Sequence, residues 1–417
     1  MAREGGGGLL LVAVFLLAVM ASVAAIAMSA QATSAHRQRI TERALAQARE
    51  ALIAHAAERP ITREVGPGHL PCPDTDDDGW AEATCGSLSG HLGQADRLGR
   101  LPWKTLGLPD LRDGYGERLW YAVSTRYKGL LNCAASPECR ALNPATGVGT
   151  ITVRDVRGGL MHDGTLADAA RAADGGAAAV VFAPGPALTR YDGRIQTRDC
   201  AAGDCDPSGR CMTDPPQRAA RCDPANFLDV APAQAGGEDN ARFHDRSDAR
   251  AGNADGFIQG PVAAPGGALA VNDRLAVIGY ADVMPRIMAR VALELAHCLG
   301  QDGAVSALLP ACDAGPSVGR IQLSEPAGAS CNARAIQPAW WPAWSEHVLH
   351  AAAAPGGLEV VDAAGRRTAA GRRLAVIATR FPGDCPGPRL ACATGGCTRI
   401  VATTRTRERH DAVVTLP

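Results

Sequence analysis

The chain opens on one unbroken apolar run, Leu9–Ala30, which holds no charge and no proline. As a helix this run would be about 33 Å long, enough to cross a hydrocarbon layer of roughly 30 Å. The pattern then changes without a break. Ile40, Ala44, Ala48 and Ala51 recur at helical spacing, with Leu45, Leu52 and Ala56 beside them and Arg39, Glu42, Arg43, Arg49 and Glu50 on the other side. No Gly or Pro interrupts this stretch before Pro60. The spacing therefore predicts a short leader over 1–8, a transmembrane helix over 9–30 and an amphipathic continuation over 31–60. Ala25-Ile26-Ala27 also fits a small-x-small cleavage pattern, so a removed signal peptide is the alternative reading. A signal peptide has no need of the amphipathic continuation.

Beyond Pro60 the periodicity is that of short strands between turns rich in Gly, Pro and Asp. Leu119-Trp-Tyr-Ala-Val, Ile151-Thr-Val-Arg-Asp and Ala179-Val-Val-Phe-Ala-Pro-Gly follow one another in the first part. His347-Val-Leu-His, Leu358-Glu-Val-Val-Asp and Leu374-Ala-Val-Ile-Ala follow in the same order near the end. This echo is read as a duplicated β-unit, although short Val/Ile strands also resemble one another by chance. Asn272–Tyr280 is a further strand. After it Asp282 would cap a helix to Leu299 that buries Ile287, Val291, Leu295 and Cys298. Residues 200–260 lack apolar periodicity and read as a long, exposed, disulfide-pinned loop. The expected fold is α+β: a long N-terminal helix, a first β-rich head unit over 61–200, a Cys-containing loop-rich insertion over 201–270 and a second α/β head unit over 271–417.

Composition sharpens two points. The formal net charge is −1, which gives no electrostatic footprint for a nucleic-acid partner. The 14 cysteines contain no C-x-x-C pair, so zinc spacing fails and structural disulfides are expected, with Cys72–Cys85 and Cys133–Cys139 the natural short-range bridges. Disulfides in turn place the head outside the cytoplasm. Arg3 and Glu4 before the apolar run, and His36, Arg37, Arg39 and Arg43 after it, leave the positive-inside rule without an answer.

Candidate chemistry is sparse. Asp74-Thr-Asp76-Asp-Asp78-Gly79, with Glu82 beyond, sets oxygens at alternate positions of a tight turn, as a hard cation such as calcium requires. Asp74, Asp76, Asp78 and Glu82 are the candidate ligands. The twelfth position of such a loop is Cys85, so Glu82 would stand in for the usual bidentate Glu. A solvated acidic turn is the alternative. Gly315-Pro-Ser317-Val-Gly319 matches G-x-S-x-G but lacks the strand before and helix after that a nucleophile elbow needs. His297 beside Cys298, His162-Asp163 and His244-Asp245 lack convergent partners, and no phosphate loop or dinucleotide fingerprint is present. An enzyme is not expected.

Asp113-Gly-Tyr-Gly116-Glu-Arg-Leu-Trp120-Tyr121 resembles the Asp-x-Trp-Gly turn-and-strand signature of type II secretion pseudopilins, with Tyr115 in the Trp position. With the apolar run, Leu70-Pro-Cys-Pro-Asp-Thr-Asp and Leu101-Pro-Trp-Lys-Thr-Leu-Gly-Leu, the chain resembles proteobacterial type IV pilin-like and pseudopilin-like proteins. The resemblance implies a single-pass bacterial inner-membrane protein with its head in the periplasm or on a cell-surface filament. Its partners would be other pilin-like or secretion-system subunits, reached through the N-terminal helix. It also implies calcium in the head, and prepilin cleavage between Gly8 and Leu9. Ala13 stands where such a mature chain usually has Glu, which favours a minor or tip subunit over a major one. The competing expectations are an exported, calcium-stabilised binding or adhesion module and, less favoured, a membrane-anchored extracytoplasmic hydrolase.

Overall fold

The computed structural model describes residues 6–58, 67–83, 85, 97–128, 142–165, 175–198, 223–243, 256–302, 309–310, 318–320, 341–352, 355–361, 365–372, 374–378, 390–393, 396–401 and 412–416. One helix, α1 (Gly6–Glu58), takes up the whole N-terminal pattern in 53 residues. Its two halves are in different surroundings. Val12, Phe15, Leu16, Leu17, Met20, Val23 and Met28 are each more than half exposed. Every described side chain from Val12 to Ile40 is exposed, a bare length of about 43 Å. This helix is long and apolar enough to cross a membrane. From Thr41 onward a stripe of Thr41, Ala44, Leu45, Ala48, Leu52, Ile53 and Ala56 is buried. Ile40 and Ala51, expected in that stripe, are exposed and half-buried respectively. Each precedes a buried position by one residue, a turn of about 100° around the helix, which takes it off the buried face.

The strands that follow α1 are β1 (Leu98–Arg100), β2 (Trp120–Val123), β3 (Val153–Arg154), β4 (Leu160–His162), β5 (Ala179–Ala183), β6 (Phe257–Ile258), β7 (Val262–Ala263), β8 (Leu269–Val271) and β9 (Arg274–Ile278). The main sheet has the order β1-β2-β5-β9 and is antiparallel throughout. β2 and β5 are continuous apolar runs because both of their faces are covered. Tyr121, Val123, Ala179, Val181 and Ala183 share one core with α1. The alternate residues Trp120, Ala122, Val180 and Phe182 share another with Phe227, Leu228, Phe243 and Phe257. This period-2 division places the irregular segment 223–243 on the sheet face opposite α1. The expectation of an exposed loop there is thus corrected for the described residues. Periodicity is silent because the segment is built of short 3-10 turns, Pro224–Asn226 and Ala233–Ala235, and its anchors Phe227 and Phe243 stand outside them, isolated from any regular stripe.

The second set comprises α2 (Tyr280–Asp302), β10 (Leu309–Pro310), β11 (Val318–Arg320), β12 (Val348–Ala352), β13 (Leu358–Val361), β14 (Arg367–Arg372), β15 (Leu374–Ala378), β16 (Leu390–Ala393), β17 (Gly396–Val401) and β18 (Ala412–Leu416). Its main sheet runs β10-β11-β12-β15-β18. The pairing plan matches the first set. β2 pairs with β5 and β12 with β15, both antiparallel. Between them the hairpins β3-β4 and β13-β14 leave for separate small sheets. There β6 joins β3, and β17 joins β13, in parallel. β9 then closes on β5, and β18 on β15. β9 falls within the residues expected to form the second unit, yet it is hydrogen-bonded to β5 and completes the first sheet.

α2 lies on β15 and β18 and also against α1. Ile287, Val291 and Leu295 are buried as expected. The helix starts earlier than the pattern suggested: Asp282 sits in its first turn and its Oδ2 accepts from Gly279 N at 2.9 Å. That is the reach-back half of a capping box, so Asp282 secures the helix start from inside instead of capping it from outside. The Cys298 side chain lies outside the described ones.

Candidate functional site

The acidic turn is built on the edge of the first sheet. Asp74 N donates to Arg100 O at 3.0 Å and Arg100 N to Asp74 O at 2.6 Å, which ties the start of the turn to β1. Cys72 and Cys85 are bridged and both are buried, closing the loop around the turn. Inside it Gly79 N donates to Asp74 Oδ2 at 2.7 Å, Asp78 N to Asp76 Oδ1 at 3.3 Å and Trp80 N to Asp78 Oδ1 at 2.7 Å. Gly79 has φ +89°, and a Cβ there would lie 2.8 Å from the Trp103 ring, so the sixth position of the turn has room only for Gly. One oxygen each from Asp74, Asp76 and Asp78 falls within 4.8 Å of the others. Oxygens grouped this way can hold a hard cation.

Glu82 is not brought into that group. Its Oε1 accepts from Thr75 N at 3.2 Å and Thr75 Oγ1 at 2.7 Å, so it braces the loop from outside. Asp77, with φ +63°, pairs with Arg118 at 2.8 Å. Burial pushes the Asp74 carboxyl up to about 7, the Gly79 N–H opposes this, and the neighbouring Asp77 and Asp76 carboxylates add to the rise.

The Asp113–Tyr121 segment forms a clasp on α1 where the helix enters the head. Asp113 is buried; its Oδ1 accepts from Tyr115 N at 2.8 Å and Glu117 N at 3.0 Å, and its Oδ2 from Gly185 N at 2.8 Å. Gly114 N donates to Thr41 Oγ1 at 2.9 Å. A Cβ on Gly114 would lie 2.2 Å from Arg37 O, so backbone meets backbone here. The Arg37 guanidinium sits 5.0 Å from the centre of the Tyr115 ring. Arg118 links the clasp to the acidic turn through Asp77. Farther along α1, Arg49 reaches Val277 O at 3.1 Å and Asp282 at 2.6 Å, joining the helix to β9 and α2.

A buried acid pair had no signal in the sequence. Asp229 Oδ2 accepts from Asn272 N at 2.6 Å and Asp273 N at 3.1 Å, and its Oδ1 from Gln196 Nε2 at 2.7 Å. Asp273 Oδ2 accepts from Asp229 N at 2.8 Å and Asn240 Nδ2 at 2.9 Å. Burial raises both carboxyls; the Asp229 charge pushes Asp273 further, well above its ordinary value. The pair fastens segment 223–243 to the sheet. Asp229 sits in a stretch with no periodicity, and Asp273 reads as the polar start of a strand.

Of the remaining candidates, Gly8 and Leu9 lie within α1, with their side chains outside the described ones. Cys133, Cys139, Ser317, His244 and Asp245 lie outside the described residues. Val318–Arg320, directly after Ser317, is a strand where a nucleophile elbow needs a helix. His162 Nδ1 lies 3.3 Å from Gly175 O, while Asp163 accepts from Thr165 N at 2.9 Å, so the two side chains engage separate partners.

Fold and site define an α+β protein with one N-terminal helix apolar enough to cross a membrane and a β-rich head closed around the helix's second half. No family model, curated protein or solved structure matches the chain.

Proposed function

We propose that the chain is a minor pilin-like or pseudopilin-like assembly subunit, anchored in a bacterial inner membrane by α1, with its disulfide-rich head in the periplasm or on a filament. The observation that carries this reading is the division of α1: bare and apolar in its first half, and the spine of an antiparallel-sheet head in its second. An apolar helix of this kind exchanges lipid for neighbouring apolar helices at little cost, because both surroundings are alike. The clasp supports the reading too, since the signature residues Asp113 and Gly114 hold the helix at the collar between the halves. The matched pairing plans of the two sheets support a head made of one helix-and-sheet unit used twice.

The test is photo-crosslinking through a reactive residue at Phe15 in cells, with the chain's N-terminus read by mass spectrometry. A membrane-retained chain, intact or starting at Leu9 and crosslinked to a second subunit by its apolar helix, is the expected result. A chain released from membranes and starting at Met28 would replace this reading with an exported binding module.

A further inference from the structure

We propose that the cavity beside α1, where the helix enters the head, seats a phospholipid headgroup that carries both a phosphate and a primary ammonium, as phosphatidylethanolamine does. The cavity holds about 300 Å³ and lies between one side of α1, at Ser34, Gln38 and Glu42, and the β8–β9 region, at Leu269 and Arg274. Two opposite charges line it without meeting. Glu42 is exposed, its Oε1 accepts from Gln38 Nε2 at 2.8 Å, and among the described residues no Lys or Arg pairs with it. Arg274 is half-buried and likewise has no carboxylate partner among the described residues. A cation and an anion that line one cavity and stay apart are complementary to a ligand with both charges, and not to one with either alone.

The chemistry of each wall narrows the ligand. Arg274 presents a planar fork of donors that matches a phosphate. The Glu42 carboxylate only accepts, so the cationic end must donate an N–H, which a primary ammonium does and a quaternary one does not. A quaternary ammonium would need an aromatic cage. Among the described residues the wall has a single aromatic ring, Tyr115, and the Arg37 guanidinium already lies on it. Position decides the source of such a headgroup, on the reading of α1 as the membrane anchor. Ser34 stands four residues past Ala30, about 6 Å along the helix. The headgroup layer extends roughly 5–7 Å beyond the hydrocarbon on each face. The rim of the cavity at Ser34 is therefore level with the headgroups. Side chains on a helix tilt toward its N-terminus, so Gln38 and Glu42 lean toward the bilayer. Leu269, 46 % exposed, offers the lipid's glycerol an apolar contact.

The full chain, with a photoreactive residue at Leu269, is placed in phosphatidylcholine vesicles holding equal minor shares of phosphatidylethanolamine and phosphatidylglycerol. Crosslinked lipids are read by mass spectrometry. A second chain carries the photoreactive residue at Phe15, in the bare half of α1. Phe15 is expected to capture all three lipids in proportion to their shares. Position 269 should capture phosphatidylethanolamine about fivefold above its share, the factor that about 1 kcal/mol gives. Arg274→Gln should abolish the enrichment, and Glu42→Gln should leave phosphatidylethanolamine and phosphatidylglycerol captured alike. Neither variant should change melting, because neither side chain has an ion pair to lose. Lipid captured at Phe15 without enrichment at 269 overturns the headgroup seat and leaves the anchor standing, whereas no lipid at either position overturns both. Enrichment that survives both substitutions removes Arg274 and Glu42 from the site. Loss of the lipid crosslink on adding roughly millimolar glycerophosphoethanolamine would assign the cavity to a soluble ligand and overturn the lipid as its occupant.

Discussion

At Gly114 a hydrogen is the largest side chain that fits. The neighbour is the main chain of α1 at Arg37, which cannot rotate away as a side chain would. Gly114→Ala is therefore expected to cost about 1–3 kcal/mol through forced displacement of the clasp. Gly116→Ala, with φ +88° and nothing within 4 Å, should cost less, because it meets only backbone strain. Thermal melting of the two variants checks the order, and equal losses would remove the special role of the helix contact. Asp273 supports a pH prediction. Its folded carboxyl is held well above the ordinary carboxylate range, because burial and the Asp229 charge favour the neutral form. Its contribution to stability is therefore complete below about pH 4 and is lost as pH rises toward the folded value. Asp273→Asn keeps an oxygen to accept from Asp229 N and Asn240 while carrying no charge. That variant is expected to flatten the fall in melting temperature above about pH 4; parallel curves for variant and parent would count against the acid pair.

Among the elements, α1 was the most legible, since length, lack of charge and unbroken helical spacing all point the same way. What the spacing could not show was where the head begins. The stripe shifts at Thr41 only because the clasp and β9 sit on that side of the helix, a tertiary fact. The strands β2 and β5 were equally legible as apolar runs, but β6 was hidden in a stretch without pattern because it is two residues long. Of the candidate ligands, Asp74, Asp76 and Asp78 converge as the alternate spacing suggested, while Glu82 goes to Thr75, a partner that spacing cannot weigh. The division of α1 gives a paired prediction. Leu52→Ala removes a fully buried side chain and is expected to lower head stability by about 2–5 kcal/mol. Leu16→Ala, on the bare half, should leave head melting unchanged. A loss from Leu16→Ala equal to that from Leu52→Ala would show that the first half packs on the head.

For the molecule as a whole, the two sheets share one core. α1, α2, Tyr121 and Val181 of the first sheet and Val348 and Ala378 of the second belong to a single buried cluster. α2 shows why this matters. Val283, Met284, Ile287, Met288, Val291 and Ala292 form one buried arc about half-way around the helix, while Ala281, Arg286, Ala289 and Leu293 on the other side are exposed. The arc is this wide because the second sheet covers one part of it and α1 another. Polar links bind the same junction: Arg49 with Asp282, Arg286 with Glu50, and Trp344 Nε1 donating to Leu142 O at 2.9 Å. Exposed pairs such as Arg286–Glu50 add little on their own, so the apolar junction dominates. Removing either unit would expose the apolar face that the other covers in this shared cluster. The head should therefore unfold in one calorimetric transition, with a van't Hoff enthalpy equal to the calorimetric one. Residues 271–417 expressed alone should fail to fold, because α2 would lose α1. Two resolved transitions, or a stable isolated second unit, would mean that the shared cluster is an interface between finished domains and not a common core.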